Sequence, residues 1–283
     1  MNQPFRLADM TPDQQAQLTL LTYAMIAFGL LFASMRRCRD GWKVWLLYLI
    51  ERIHVAFICH WRANGRCPYP ESGGAIILSN HRSPLDPMLT WMNHHLRHEE
   101  GARTVRVIGY LMAREYYEMP GLVGWISRAM QSIPVDRNGQ DVAPTREALR
   151  RLAAGDLIGI FPEGGINTGE GLRAANPGVA FLALRAGVPI IPVYIHGALQ
   201  PSSMIAPFYT PCRVRVTYGT PIDLSHLKGQ RKTQELLNAV TNALMQRLAE
   251  LGGVTYQHEQ SVANESSSQA SLGQAPQNSK LAE

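Results

Sequence analysis

Apolar and polar positions divide this chain into three textures. From Leu18 to Met35 eighteen residues pass without a charge. As a helix such a run covers about 27 Å, close to the hydrocarbon thickness of a bilayer. Thr11 as cap, Pro12 at the first helical position and Gln14 completing a Thr-x-x-Gln capping box mark its start, and Arg36, Arg37 and Arg39 follow its end. The preceding flank is acidic on balance, Arg6 against Asp9 and Asp13. A positive cluster that follows the apolar run suits a retained anchor better than a cleaved signal peptide. If the segment spans, the positive-inside bias keeps the arginines and everything after them cytoplasmic. Thr19, Thr22, Gly29 and Ser34 lower its hydropathy, so a helix dipping into one leaflet and a buried core helix are the alternatives.

Trp42 to Trp61 mixes Trp42, Trp45, Tyr48 and Trp61 and many aliphatic residues with Lys43, Glu51, Arg52 and His54. Rings and snorkelling cations together are typical of the headgroup zone, which predicts a second, interfacial helix; an ordinary amphipathic helix covering the main domain is the alternative. From Ala75 the texture becomes short aliphatic runs between Gly and Pro. The runs 75–79, 105–112, 131–135, 157–161, 188–195 and 213–218 read as strands. Helices fit between them: 144–154 and 177–186 each begin at Pro and end before Gly, and 236–251 stops at Gly252 and Gly253. The alternation predicts an α/β fold with a largely parallel sheet covered by helices, its functional residues in loops at strand ends. The organisation expected is membrane-embedding helices over 1–61, an α/β domain over 62–256, and a disordered Ser/Gln/Asn/Ala tail over 257–283.

Composition sharpens this picture. Across 283 residues 46% are apolar and only 17% charged, below the roughly 25% charge usual in soluble domains. The net charge of +5 favours anionic partners, but the basic residues are dispersed, which argues against nucleic acid. Cys38, Cys59, Cys67 and Cys212 show no Cys-x-x-Cys spacing and read as reduced thiols. His94, His95 and His98 include an i to i+4 pair, yet only Glu99 and Glu100 accompany them, so a solvated helix face is preferred to a metal site and no metal is expected.

Chemistry enters where the run ending at Ser79 meets Asn80, His81, Arg82, Ser83, Pro84, Leu85, Asp86 and Pro87. An imidazole held by a carboxylate is the arrangement needed for a general base. Five positions apart is not a helical pairing, so His81 and Asp86 need a turn, which the two prolines make plausible. The bland reading is a loop His beside an Asp helix cap. Phe161, Pro162, Glu163 and Gly164 follow another strand and lead into a Gly-rich loop, either a polar-substrate cradle or a simple turn with a solvated Glu. Arg137 follows the Ile133-Pro134-Val135 strand, as a phosphate clamp or as an ordinary surface Arg.

In this order and separation the segments resemble the glycerolipid acyltransferase family, whose best-known members acylate lysophosphatidic acid. The resemblance covers roughly residues 42–227. It rests on the His-x-x-x-x-Asp block from His81 to Asp86, Ile133 to Arg137, Phe161 to Gly164, and Val188 to Val193. It implies that His81 takes the acceptor hydroxyl's proton, that Asp86 orients the ring, and that the hydroxyl attacks the thioester of an acyl-CoA or acyl-carrier protein. Asn80, Arg82, Ser83, Arg137, Phe161, Pro162, Glu163 and Gly164 would then line the substrates, with Arg137 on the phosphate. It implies no cofactor beyond the thioester co-substrate, a membrane location with the catalytic domain on the cytoplasmic side, and a phospholipid membrane, a lysophospholipid and an acyl thioester as partners. Gly165, Ile166 and Asn167 stand where the family usually has Thr-Arg-Ser, so the acceptor's phosphate contact differs here. A phosphate-free lyso-lipid acceptor and a non-enzymatic membrane adaptor are the rival readings.

Overall fold

The computed structural model describes residues 10–38, 40–92, 106–136, 142–200 and 203–256. Seven strands form one sheet: β1 (Arg62–Asn64), β2 (Ala75–Ser79), β3 (Ile108–Ala113), β4 (Ile133–Val135), β5 (Leu157–Ile160), β6 (Ile190–His196) and β7 (Arg215–Tyr218). Their order is β1-β7-β6-β2-β5-β3-β4. The five strands from β6 to β4 are mutually parallel, β7 runs antiparallel to β6, and β1 is parallel to β7. The largely parallel α/β fold expected from the alternation is the fold observed.

Both faces of the sheet are covered, which is why its strands read as continuous apolar runs. Every residue of β2 is buried, and its side chains alternate between two cores. Ile76 and Leu78 pack with α6 (Ala143–Ala153), α7 (Gly178–Ala186) and α8 (Gln234–Gly252). Ile77 packs on the other face, with α2 (Trp42–Phe57) and α3 (Asp86–Trp91), against which Trp125 and Ile126 of α5 (Leu122–Ala129) also lie. The four-residue α4 (Arg114–Tyr117) joins β3 to α5.

The N-terminal helix α1 (Pro12–Arg36) carries the capping box read from the sequence: Thr11 accepts from Gln14 N–H, and the Gln14 side chain accepts from Thr11 N–H at 2.9 Å. None of its residues is buried, which removes the core-helix alternative. It meets the rest of the protein near its end, where Trp45 Nε1 donates to Ser34 Oγ at 3.1 Å.

The second helix departs from the expectation. It stops at Phe57, and β1 occupies part of the following stretch. One of its faces sinks Val44, Leu47, Glu51 and Val55 into the core, so a boundary at residue 61 cuts through a packed cluster. The other face exposes Trp42, Ile50, Ile53 and Phe57. Spacings of eight, three and four residues put these on one outward stripe. The helix is thus apolar on both sides: the inward side covers the main domain, and the outward stripe is bare.

Residues 93–105 and 257–283, with the His94, His95 and His98 cluster and the expected tail, lie outside the described residues. Among the described residues the cysteines are free. Burial pushes the Cys59 thiol well up and that of Cys67 up to about 12, which leaves both as poor nucleophiles. No group of three metal-ligating side chains occurs among the described residues.

Candidate active site

Parallel strands collect their functional loops at the carboxyl edge of the sheet, and that is where β2 and β5 deliver the two motifs. The chain leaves β2 at Ser79, turns through residues 80–85, and enters α3 at Asp86. Asp86 is wholly buried, and its Oδ2 accepts from the backbone N–H of Arg82 (2.6 Å) and of Ser83 (2.8 Å). The carboxylate therefore folds the turn back on itself, which is how residues five apart meet: His81 Nδ1 lies 2.9 Å from the same oxygen. Asp86 Oδ1 is buried without a partner. With Nδ1 engaged by the carboxylate, the imidazole is held in the tautomer that leaves Nε2 basic. His81 keeps 17% of its side chain exposed, enough to meet a bound substrate.

From β5, Phe161 brings its ring against the His81 imidazole, with centroids 4.1 Å apart and planes 12° from parallel. Stacking and the carboxylate together fix both the plane and the rotation of the base.

Glu163, expected among the substrate-lining residues, is bonded within the protein. Its Oε1 accepts from His81 N–H at 3.1 Å, and its Oε2 accepts from Asn167 Nδ2 at 2.5 Å and from Arg173 N–H at 3.1 Å. Both oxygens are bonded to the protein, so Glu163 locks the His81 backbone to the Gly-rich loop. Asn167, almost wholly buried, continues the lock: its N–H donates to His81 O at 2.7 Å and its Nδ2 to Gly171 O at 3.0 Å. Sequence reasoning noted Asn167 only as a departure from the family pattern. Its spacing of four residues from Glu163 in a loop was the available signal.

Other residues expected at the site are also held within the protein. Asn80 is wholly buried, with its amide bonded to Ile195 N–H and C=O of β6 at 2.8 and 3.0 Å, so it ties β2 to β6. Ser83 is wholly buried and Pro162 is buried too. The Arg82 guanidinium is half-buried and donates to Gly169 O, bracing the same loop. Gly164 is exposed with φ at +72°, a left-handed turn that glycine adopts without strain. Arg137 lies outside the described residues. Its neighbour Asp136 pairs with Arg114 at 2.5 Å, and the guanidinium holds that carboxyl below its usual range. The site is therefore a tightly braced imidazole–carboxylate pair beside an exposed, Gly-rich loop.

Residues 60–196 match the family model for acyltransferases. A 1-acyl-sn-glycerol-3-phosphate acyltransferase of Bacillus subtilis is 27% identical over 147 residues, which are 51% of this chain and 68% of that protein. An uncharacterised protein of Mycobacterium tuberculosis is 29% identical over 138 residues, 46% of this chain but only 35% of its own length. The crystal structure of the 1-acyl-sn-glycerophosphate acyltransferase of Thermotoga maritima superposes over 88% of this chain and 100% of its own, with a TM-score of 0.57 at 21% identity, a likeness of fold. Family match, fold and motif order agree: through residues 60–196 this chain belongs to the acyltransferase family and is an acyltransferase enzyme.

Proposed function

We propose that this acyltransferase works at a membrane and moves a fatty acyl group from acyl-CoA or acyl-carrier protein to the free hydroxyl of a lysophospholipid, with lysophosphatidic acid as acceptor and phosphatidic acid as product. The observation that carries the reading is the His81 imidazole fixed on its Nδ1 side by buried Asp86 at the edge of the sheet. His81 Nε2 takes the hydroxyl proton as the oxygen attacks the thioester carbonyl, and Asp86 stabilises the imidazolium that forms. Collapse of the tetrahedral intermediate breaks the C–S bond and releases the thiolate, which takes the proton back from Nε2. No acyl-enzyme is required, since both substrates are held together and the thiolate leaves readily.

Arg137 is the residue we assign to the acceptor's phosphate, with exposed Arg173 of the Gly-rich loop after β5 as a second cation. Membrane binding is supported by the wholly unburied α1 and by the outward stripe of α2. Ile205 and Tyr209, also exposed, extend this apolar surface, because His54 Nε2 of α2 is bonded to Phe208 O at 2.8 Å. The positive cluster after α1 supports a cytoplasmic location for the catalytic domain.

Detergent-purified protein given labelled acyl-CoA and a panel of acceptors tests the reading. Lysophosphatidic acid is expected to be acylated well ahead of other lysophospholipids. Acylation of a phosphate-free lyso-lipid alone would remove the phosphate role of Arg137, an outcome that Ile166, in place of the family's Arg, makes worth measuring. Membranes washed with alkaline carbonate should retain the protein; release into the wash would remove α1 as an embedded helix.

A further inference from the structure

We propose that Tyr110 of β3 is a positioning residue that grips both members of the His81–Asp86 pair at once. The proposal rests on the reading of His81 as the base. Tyr110 is nearly fully buried and lies opposite Gly159 of β5 in the sheet. A Cβ at position 159 would sit 2.3 Å from Tyr110 Cε1, so the phenol ring occupies the space that only a glycine leaves. Two residues along, on the same side of the chain, Phe161 stacks on the Tyr110 ring with centroids 4.9 Å apart and planes 15° from parallel. Phe161 in turn stacks on His81. Three rings thus form a column from the sheet interior to the imidazole, closed at its base by Gly159.

The other end of Tyr110 reaches the carboxylate's helix. Its hydroxyl is bonded to Thr90 Oγ1. Thr90 Oγ1 also lies 3.1 Å from Asp86 O and 3.0 Å from Pro87 O, in the first turn of α3. The Thr90 hydroxyl has one proton to give and gives it to that turn, so it accepts from Tyr110. Burial raises the phenol's pKa well above its ordinary value, which keeps it a donor at any working pH. The ring of Tyr110 therefore bears on the base through Phe161, and its hydroxyl bears on the acid's helix through Thr90. A purely space-filling residue in this core would be Phe or Leu; a buried hydroxyl is unfavourable unless it is paired.

The test uses the full chain in detergent with a double-mutant cycle. Tyr110→Phe and Thr90→Val remove the same bond and leave the ring column standing. Each should lower kcat about threefold to tenfold at unchanged KM, and the double variant should be no worse than the more damaged single. Tyr110→Leu removes the column as well and should lower kcat on the order of 100-fold, with Tyr110→Phe recovering most of that loss. Tyr69→Phe, which loses a different buried phenol bond, to Thr90 O, should lower the melting temperature and leave kcat alone. Additive losses in the cycle, or a rise in KM with constant kcat, would overturn the proposal. A readout free of acyl transfer is the carbethoxylation rate of His81 by diethyl pyrocarbonate, followed by peptide mass spectrometry. It should rise in Tyr110→Leu, and an unchanged rate counts against the grip. If wild-type protein acylates nothing while this rate still rises, the acyl-transfer reading has failed and the positioning role stands.

Discussion

The two ends of the parallel sheet both bury charge, and they treat it in opposite ways. At the amino edge, Arg106 donates to the carbonyls of Pro70, Gly73 and Gly155. Arg151 binds the backbone and side-chain oxygens of Gln131 and pairs with Asp156 at 3.3 Å, while Asp40 receives Val107 N–H and Gln131 Nε2. Each group there is answered by another group of the protein. At the carboxyl edge, Asp86 Oδ1 is orphaned in the interior, and of the two His81 ring nitrogens only Nδ1 is hydrogen-bonded among the described residues. Saturated polar networks hold a structure in place, whereas an imidazole with a free nitrogen beside a fixed carboxylate retains the capacity to move a proton.

Substitutions at the two edges should therefore separate activity from stability. His81→Ala is expected to lower kcat/KM on the order of 10³-fold with an unchanged melting temperature; retained activity in steady-state assays would hand the chemistry to another residue. Arg151→Met at the amino edge should do the reverse. It leaves Asp156 without its buried partner and should reduce unfolding free energy in urea titrations by about 3 kcal/mol, at constant kcat per folded molecule. A kcat loss matching the stability loss would show that the two edges are not independent. Glu163→Gln falls between these cases. The shape is kept but the carboxylate's bonds to His81 N–H and Arg173 N–H weaken, so kcat should drop about tenfold with a modest stability loss.

The smallest effect concerns Glu51 and His54, which face each other at 3.2 Å. Burial raises the Glu51 pKa above its ordinary 4.5, and the bond to Glu51 raises that of His54 above its ordinary 6.5. Both groups hold protons more tightly folded than unfolded. Their contribution is complete below those ordinary values and is lost as pH rises through the raised ones. Melting temperature should therefore fall as pH rises above the ordinary 4.5 and on past the ordinary 6.5, more steeply in wild type than in a Glu51→Gln/His54→Gln variant. Parallel curves would show that the pair does not titrate on unfolding.

Much of this architecture could be read in advance because its signals are local. The 75–79 run became β2 without adjustment, Pro and Gly bracketed α6 and α7, and Gly marked the end of α8, all to within two residues. What escaped notice depends on distant partners. The three-residue β1 exists because β7 accepts it. The six-residue α3 hides in an apolar run too short to show a period, and Pro120, Gly121 and Gly124 disguise α5 as a loop. At the site, His81 and Asp86 stood out because Pro84 lies between them and Pro87 follows. The actual work of Asn80 and Glu163 did not, because their partners Ile195 and His81 are 115 and 82 residues away. A polar residue in a motif invites assignment to the substrate, yet here most of the motif serves to immobilise one ring.

The double-sided α2 has a kinetic consequence. Because one face is part of the domain core and the other is bare, the helix fixes the height and tilt of His81 against whatever surface receives its outward stripe. An enzyme moored in that way samples its acceptor by lateral diffusion in two dimensions. On the membrane and lipid-acceptor reading proposed above, velocity would follow the mole fraction of acceptor in the lipid phase, and inert lipid added at constant bulk acceptor would slow it by dilution within the surface.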